Sequence, residues 1–182
     1  MTITLAPEQH LEIHAAIPGL ALAVLTLLFG FALGIVFGLN EDAVKSRFSA
    51  SATAVQQTVY GGDSLAAKPV LEKSWNYAQR AHLHAGSLGA SAIALTVAVL
   101  LIGTGPALTR LLSLAFGIGG LGYSVFWLLA GFRAPGLGST GAAKESLAWL
   151  AIPSSGIFVA ATGVALLLSL RAAARGTSRS LR

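Results

Sequence analysis

Cysteine is absent from this 182-residue chain, methionine occurs once, and Asp, Glu, Lys and Arg together make up only 10% of it. The first absence excludes disulfides, thiolate zinc sites, iron–sulfur clusters and thiol redox chemistry. The second removes the soft thioether ligands that a methionine-lined copper(I) path needs. The third is the most consequential. Soluble domains carry roughly 25% charged residues, so the shortage excludes a soluble enzyme, a disordered tail and a nucleic-acid binder with a basic face. With 54% hydrophobic residues and a mean hydropathy of +0.73, the composition is that of an integral membrane protein. Recognisable catalytic patterns are missing too: there is no phosphate loop, HExxH or Ser-His-Asp constellation. No acidic residue falls inside an apolar run, which argues against a proton-coupled transporter with an embedded carboxylate.

What is present is four stretches without Asp, Glu, Lys or Arg: Ile13–Asn40, Ala81–Thr109, Leu111–Phe132 and Ser146–Leu170. Each exceeds the roughly 20 residues a helix needs to cross the hydrocarbon layer. A backbone in lipid must satisfy its own hydrogen bonds, which selects the helix. The expected fold class is therefore an all-α integral membrane protein, a four-transmembrane-helix bundle spanning 15–39, 82–103, 107–131 and 146–170. Gly103-Thr104-Gly105-Pro106 is expected to form a tight turn, and Ala134–Gly141 a linker rich in helix breakers. Helix one is expected to persist as a span rather than serve as a cleaved leader: no Lys or Arg precedes it and its apolar run is too long. Pro18 reads as a first-turn proline without a kink, and Pro153 as one whose freed carbonyl a nearby serine could satisfy.

The polar segment 41–80 is expected to be an extramembrane helical hairpin between helices 1 and 2. Val44, Phe48, Ala52, Val55 and Val59 recur at helical spacing, Gly61-Gly62-Asp63 breaks the pattern, Pro69 suits a first helical turn, and Leu71, Trp75, Ala78 and His82 resume it. An amphipathic segment lying on the bilayer surface is the other reading of the same stripe. Small residues supply contact faces where lipid offers no hydrophobic reward for helix association. They are Gly30, Gly34 and Gly38 on helix one; Gly86, Gly89 and Ala90 on helix two; Ser113, Gly117, Gly120 and Ser124 on helix three; and Ala151, Ser155, Thr162 and Ser169 on helix four. Such faces serve packing within the chain or self-association. Lys45 and Arg47 follow helix one closely while no Lys or Arg precedes it, so the positive-inside rule places both termini outside a bacterial cytoplasmic membrane.

The four histidines carry the functional signal. His10 and His14 stand four residues apart, near Glu8 and Glu12, so a helix would set both imidazoles on one face within reach of one divalent metal. His82 and His84 are two apart, which turns them roughly 200° from each other and keeps them from sharing an ion. Topology brings the ends carrying Asn40, Trp127, Arg133, Trp149, Ser154 and Ser155 to the same side as His82 and His84. A histidine in such surroundings suits a quinone headgroup, a haem through one axial ligand, or a metal. A bis-histidine haem within one chain is not expected, because His14 and His84 lie near opposite faces; a symmetric dimer could pair His82 with its mate. The string Arg80-Ala81-His82-Leu83-His84-Ala85-Gly86-Ser87-Leu88-Gly89 resembles His-bearing helices of small haem-binding membrane proteins over those ten residues. The leading functional expectation is nonetheless non-catalytic: an accessory or assembly subunit binding other membrane protein subunits, or itself, in the bilayer. A haem-, quinone- or metal-binding redox protein is the alternative, and a small transporter or channel the third.

Overall fold

The computed structural model describes residues 7–180, with side chains described for 10–175. Six helices follow in order: α1 (Pro7–Ala54), α2 (Gln56–Val59), α3 (Ser64–Ile102), α4 (Pro106–Leu137), α5 (Thr140–Glu145) and α6 (Ala148–Ser180). Among the described residues there is no strand. Four of the helices, α1, α3, α4 and α6, are long and apolar enough to cross a membrane.

Each long helix runs past its uncharged stretch at one end or both, and the local reasons are visible. Asp63 caps α3, its carboxylate accepting from the backbone N–H of Leu65 at 2.8 Å. This start places Pro69 beyond the first turn expected for it. Pro18 likewise lies well inside α1, and the residue that leaves helical geometry is Asn40, at φ −134° and ψ 32°, where the uncharged run ends. α4 runs through Pro135, which sequence reading assigns to a linker. A proline forfeits only one intrahelical donor, and the helix stops instead at Gly138, whose φ of +64° favours glycine. The remaining linker contains α5, capped by the Ser139 hydroxyl accepting from Ala142 N–H at 3.2 Å.

α1, α3 and α4 pack on one another, and α6 packs mainly on α4. Small residues make the close approaches. A Cβ at Gly30 would lie 2.8 Å from the backbone nitrogen of Gly86, and one at Gly89 would lie 2.7 Å from that of Leu27. Gly117 meets Leu22 and the Gly19 carbonyl, and Gly119 meets Ser154 and Phe158. Two expectations need correction. Gly38 faces open space and takes no part in its stripe. α6 presents Ser154, Ala161 and Ala165 as its buried residues rather than Ser155, Thr162 and Ser169. The contact face runs through Ser154, Ala161 and Ala165 at intervals of seven and four; Ser155, Thr162 and Ser169 stand beside it and return their hydroxyls to Ala151, Phe158 and Ala165 of their own helix. Ser155 thereby takes the Ala151 carbonyl, not the Trp149 carbonyl that Pro153 leaves without its donor.

Beyond Asn40, α1 and the first half of α3 run side by side and are joined through α2 and the turn at Gly61 and Gly62 (φ +61° and +82°). Val44, Phe48 and Ala52 are buried, as are Tyr60 and Ala67; Val59 is 42% exposed and drops out of the stripe. The pair does not stand alone. The end of α4 joins it, with Phe48 edge-on to Phe132 at 4.9 Å and the Tyr60 hydroxyl donating to the Pro135 carbonyl at 2.7 Å. Burial raises the Tyr60 pKa from its ordinary value. At the opposite end Glu12 accepts from the backbone N–H of Gly105 at 2.7 Å, tying α1 to the turn before α4. A carboxylate at a helix N-terminus is favoured by the free N–H groups there. Glu12→Ala is expected to lower stability by about 1 kcal/mol, read as the unfolding midpoint in detergent; an unchanged midpoint would remove this tie from the account.

Candidate functional site

The two central histidines leave α3 in different directions and meet different helices. His82 points to α1. Its Nδ1 lies 2.7 Å from the Gly30 carbonyl. A carbonyl only accepts, so Nδ1 carries a proton and donates it to Gly30. The notch that admits the ring is Gly34: a Cβ there would lie 2.7 Å from His82 Cε1. His84 points to α4. Its Nδ1 donates to the Arg80 carbonyl of its own helix at 2.8 Å, and its ring packs edge-on to Tyr123 at 5.3 Å and tilted over Trp127 at 5.9 Å.

Around Trp127 the aromatic groups are dense. Tyr77 meets it edge-on at 4.9 Å, Phe126 lies at 5.0 Å, and the Arg80 guanidinium sits over its ring at 5.0 Å and over Tyr77 at 5.6 Å. Trp127 is buried, and its indole Nε1 finds no hydrogen-bond partner among the described residues. Trp149, by contrast, is 69% exposed, as an interfacial anchor would be. Sequence reasoning grouped the two tryptophans and so missed this cluster. Its signal was the spacing of Tyr123 with Trp127, and of Tyr77 and Arg80 with His84, at helical intervals of three and four.

The remaining expected site residues have surroundings of their own. Arg133 donates from Nη1 to the Ser146 hydroxyl at 3.1 Å, beside the linker. Ser154 is buried against Gly119 and Gly122 of α4. Ser155 bonds within α6. His10 and His14 are both exposed on the first turns of α1. His14 shares a shallow groove of about 380 Å³ with Leu11, Pro106 and Arg110, while Glu12 is committed to Gly105. Glu8 lies outside the described side chains. Among the described residues no hydrogen bond or ring contact joins His82, His84, Arg133, Ser154 and Ser155 to one another. None groups three or more His, Cys, Asp or Glu side chains able to hold a metal ion.

A second concave feature lies beyond the apolar stretches. Between the extended ends of α1 and α3 runs a groove of about 540 Å³ with Phe48, Leu71 and Trp75 as apolar lining and Lys45, Lys68 and Glu72 as charged lining. A smaller cavity of about 90 Å³ adjoins it, sharing Ser49 and Leu71. The Lys45 ammonium stands 5.2 Å from the Trp75 ring centre and pairs with Glu41 one turn back.

With this geometry in hand, the class of protein is clear at one level: an all-helical chain with four helices long and apolar enough to span a bilayer. No family model, curated protein or solved structure matches it.

Proposed function

We propose that the chain is a small multi-span membrane protein serving as an accessory or assembly subunit of a larger membrane complex. In this reading α1, α3, α4 and α6 cross the bilayer as a four-helix bundle. The hairpin of α1 and α3 lies on the cytoplasmic side of a bacterial cytoplasmic membrane, and both termini lie outside. Lys45, Arg47, Lys68, Lys73, Arg80, Arg133 and Lys144 then fall on the cytoplasmic side, in keeping with the positive-inside rule.

The observation that carries the subunit reading is the position of α6. Only 11% of its apolar window is buried, against 28%, 28% and 44% for α1, α3 and α4. Its outward side carries Gly156 and Gly163, and a Cβ at either would meet nothing within 4 Å. Small residues on an open helix face let a neighbouring backbone approach closely. The histidines, by comparison, are already occupied in holding α3 to α1 and in packing against α4, which supports a structural role for them over a redox one.

Gly156→Leu and Gly163→Leu test the reading, because a side chain at either position starts into open space. Each is expected to leave the unfolding midpoint within about 0.5 kcal/mol of wild type. Each is also expected to reduce the mass of the gently solubilised complex to that of the free chain. Wild-type protein that already migrates as a free chain, or a complex made only of copies of this chain, would overturn the assignment.

A further inference from the structure

We propose that one anionic phospholipid binds where α1 and α4 both begin, with its phosphate on Arg110 and His14 and one acyl chain along the outer face of α1. The inference rests on the bilayer placement proposed above, not on the subunit role or on which side faces the cytoplasm.

Register brings the two polar side chains together. α1 and α4 run parallel and are fixed to each other at two levels, by the Glu12 carboxylate on the Gly105 N–H and by the Gly19 backbone against Ser113. From the second level His14 lies five residues back along α1, and Arg110 three residues back along α4. At 1.5 Å per residue their backbones differ in height by about 3 Å. Both line one groove of about 380 Å³, whose other lining, Leu11, Ala15, Pro106 and Ala107, is apolar.

The same two residues stand at the apolar boundary. Ile13 opens the uncharged stretch of α1, and Arg110 is the single Asp, Glu, Lys or Arg from 81 to 132. A helical Cβ tilts toward the N-terminus, so both side chains slope out of the hydrocarbon into a headgroup layer roughly 5–7 Å thick. Arg110 accepts from Ser113 through its backbone carbonyl, and among the described residues its guanidinium has no ion pair. Glu12 is the one carboxylate among the described side chains at this end. It is committed to Gly105 and, two residues before His14, points roughly 200° away round the helix. The lining therefore holds no carboxylate. A guanidinium fork with an imidazole N–H beside it is donor chemistry suited to a phosphodiester.

The acyl chain has a track in the matching place. One turn beyond His14 a furrow of about 400 Å³ opens at Ile17 and follows α1 to Leu28, lined by apolar residues alone. At helical rise it runs about 16 Å, close to half of the roughly 30 Å hydrocarbon thickness. A cationic groove at the boundary leading into an apolar furrow below it has the polarity of a phospholipid, whereas a water-borne phosphate ester would leave the furrow unused.

The test uses the full chain in mild detergent, stripped of lipid and offered phosphatidylglycerol or phosphatidylcholine with identical acyl chains. Retained lipid is read by native mass spectrometry. Preferential retention of one phosphatidylglycerol is expected. Arg110→Gln/His14→Ala should weaken it about tenfold, which corresponds to roughly 1.4 kcal/mol. Arg171→Gln is the matched control. It removes the same charge one residue past the fourth uncharged stretch, outside the groove, and should bind as wild type does. Equal retention of the two lipids by wild type overturns the proposal, as does a double variant that binds like wild type or an Arg171 variant weakened as much as the double one. Glycerophosphoglycerol, the headgroup without its acyl chains, binding as tightly as the lipid would also overturn it. The substituted side chains are exposed, and an unchanged unfolding midpoint verifies that the variants fold. Reconstitution into vesicles followed by flotation separates the levels. A chain that fails to float with the vesicles defeats the bilayer placement, while one that floats yet retains the two lipids equally defeats the lipid site alone.

Discussion

Gly19→Ala is expected to destabilise the protein by about 3 kcal/mol or more, the upper range for forcing extra atoms into a packed contact. The added methyl would fall within the hard-sphere radius of the Ser113 carbonyl carbon and oxygen on α4. Backbone atoms cannot rotate aside as the tip of a side chain does, so α1 and α4 must separate along this level. Gly117 reinforces the contact from the other helix, where a Cβ would lie 2.8 Å from the Gly19 carbonyl. Thermal or denaturant unfolding in detergent reads the effect. Gly38→Ala is the matched control on the same helix: its Cβ would meet nothing within 4 Å, and alanine is the better helix former. If the two substitutions behaved alike, the α1–α4 packing described here would be wrong.

Tyr60→Phe is expected to cost about 1–2 kcal/mol, because it strips the donor from a buried carbonyl while leaving the carbonyl in place. The Pro135 carbonyl lies at the end of α4, where intrahelical donors run out. Its other partner is the N–H of Gly138 at a long 3.4 Å. The same bond gives a pH dependence whose sign can be worked out. Tyrosine donates only while it holds its proton. Burial raises the folded-state pKa above the ordinary 10.0, so the folded state keeps the proton to higher pH than the unfolded state. The stabilising contribution is thus fully present below pH 10 and is lost as pH climbs through the raised value. Wild-type protein should lose stability through that alkaline window, and Tyr60→Phe should lose less over the same interval. Parallel curves for the two proteins would show that Tyr60 does not titrate as its burial requires.

Much of the helical architecture was legible because long uncharged apolar runs leave the backbone few choices. Uncharged runs such as Ile13–Asn40 have to satisfy their own backbone, and Gly61-Gly62 and Gly103–Gly105 mark turns by residues that accept positive φ. Helix ends were less legible. Pro135 reads as a breaker in a run of Ala, Gly and Ser, yet the stop is set three residues later by Gly138, and no local pattern distinguishes those two outcomes. The third member of the hairpin was invisible for a related reason. Tyr60 and Pro135 are 75 residues apart, and neither carries a mark of the other.

The candidate site was legible only in part. The angle between His82 and His84 follows from helix geometry alone, and it correctly separates their surroundings. Which backbone carbonyl receives each ring does not follow, since the Gly30 acceptor depends on how deeply α1 and α3 approach at Gly34. Trp127 illustrates the limit of residue-type reasoning. A tryptophan near the end of an apolar run reads as an anchor, and whether it anchors or packs depends on which face of α4 meets α3. The groove of the hairpin escaped because its lining comes from positions that look, one at a time, like solvated helix surface.

The departure from helical geometry at Asn40 makes α1 two rods sharing a joint, whereas α3 continues as an unbroken mast from Ser64 to Ile102. The hairpin is thus joined to the apolar part of α3 by continuous helix and to α4 by Tyr60 and Phe48, and to the apolar part of α1 only across that joint.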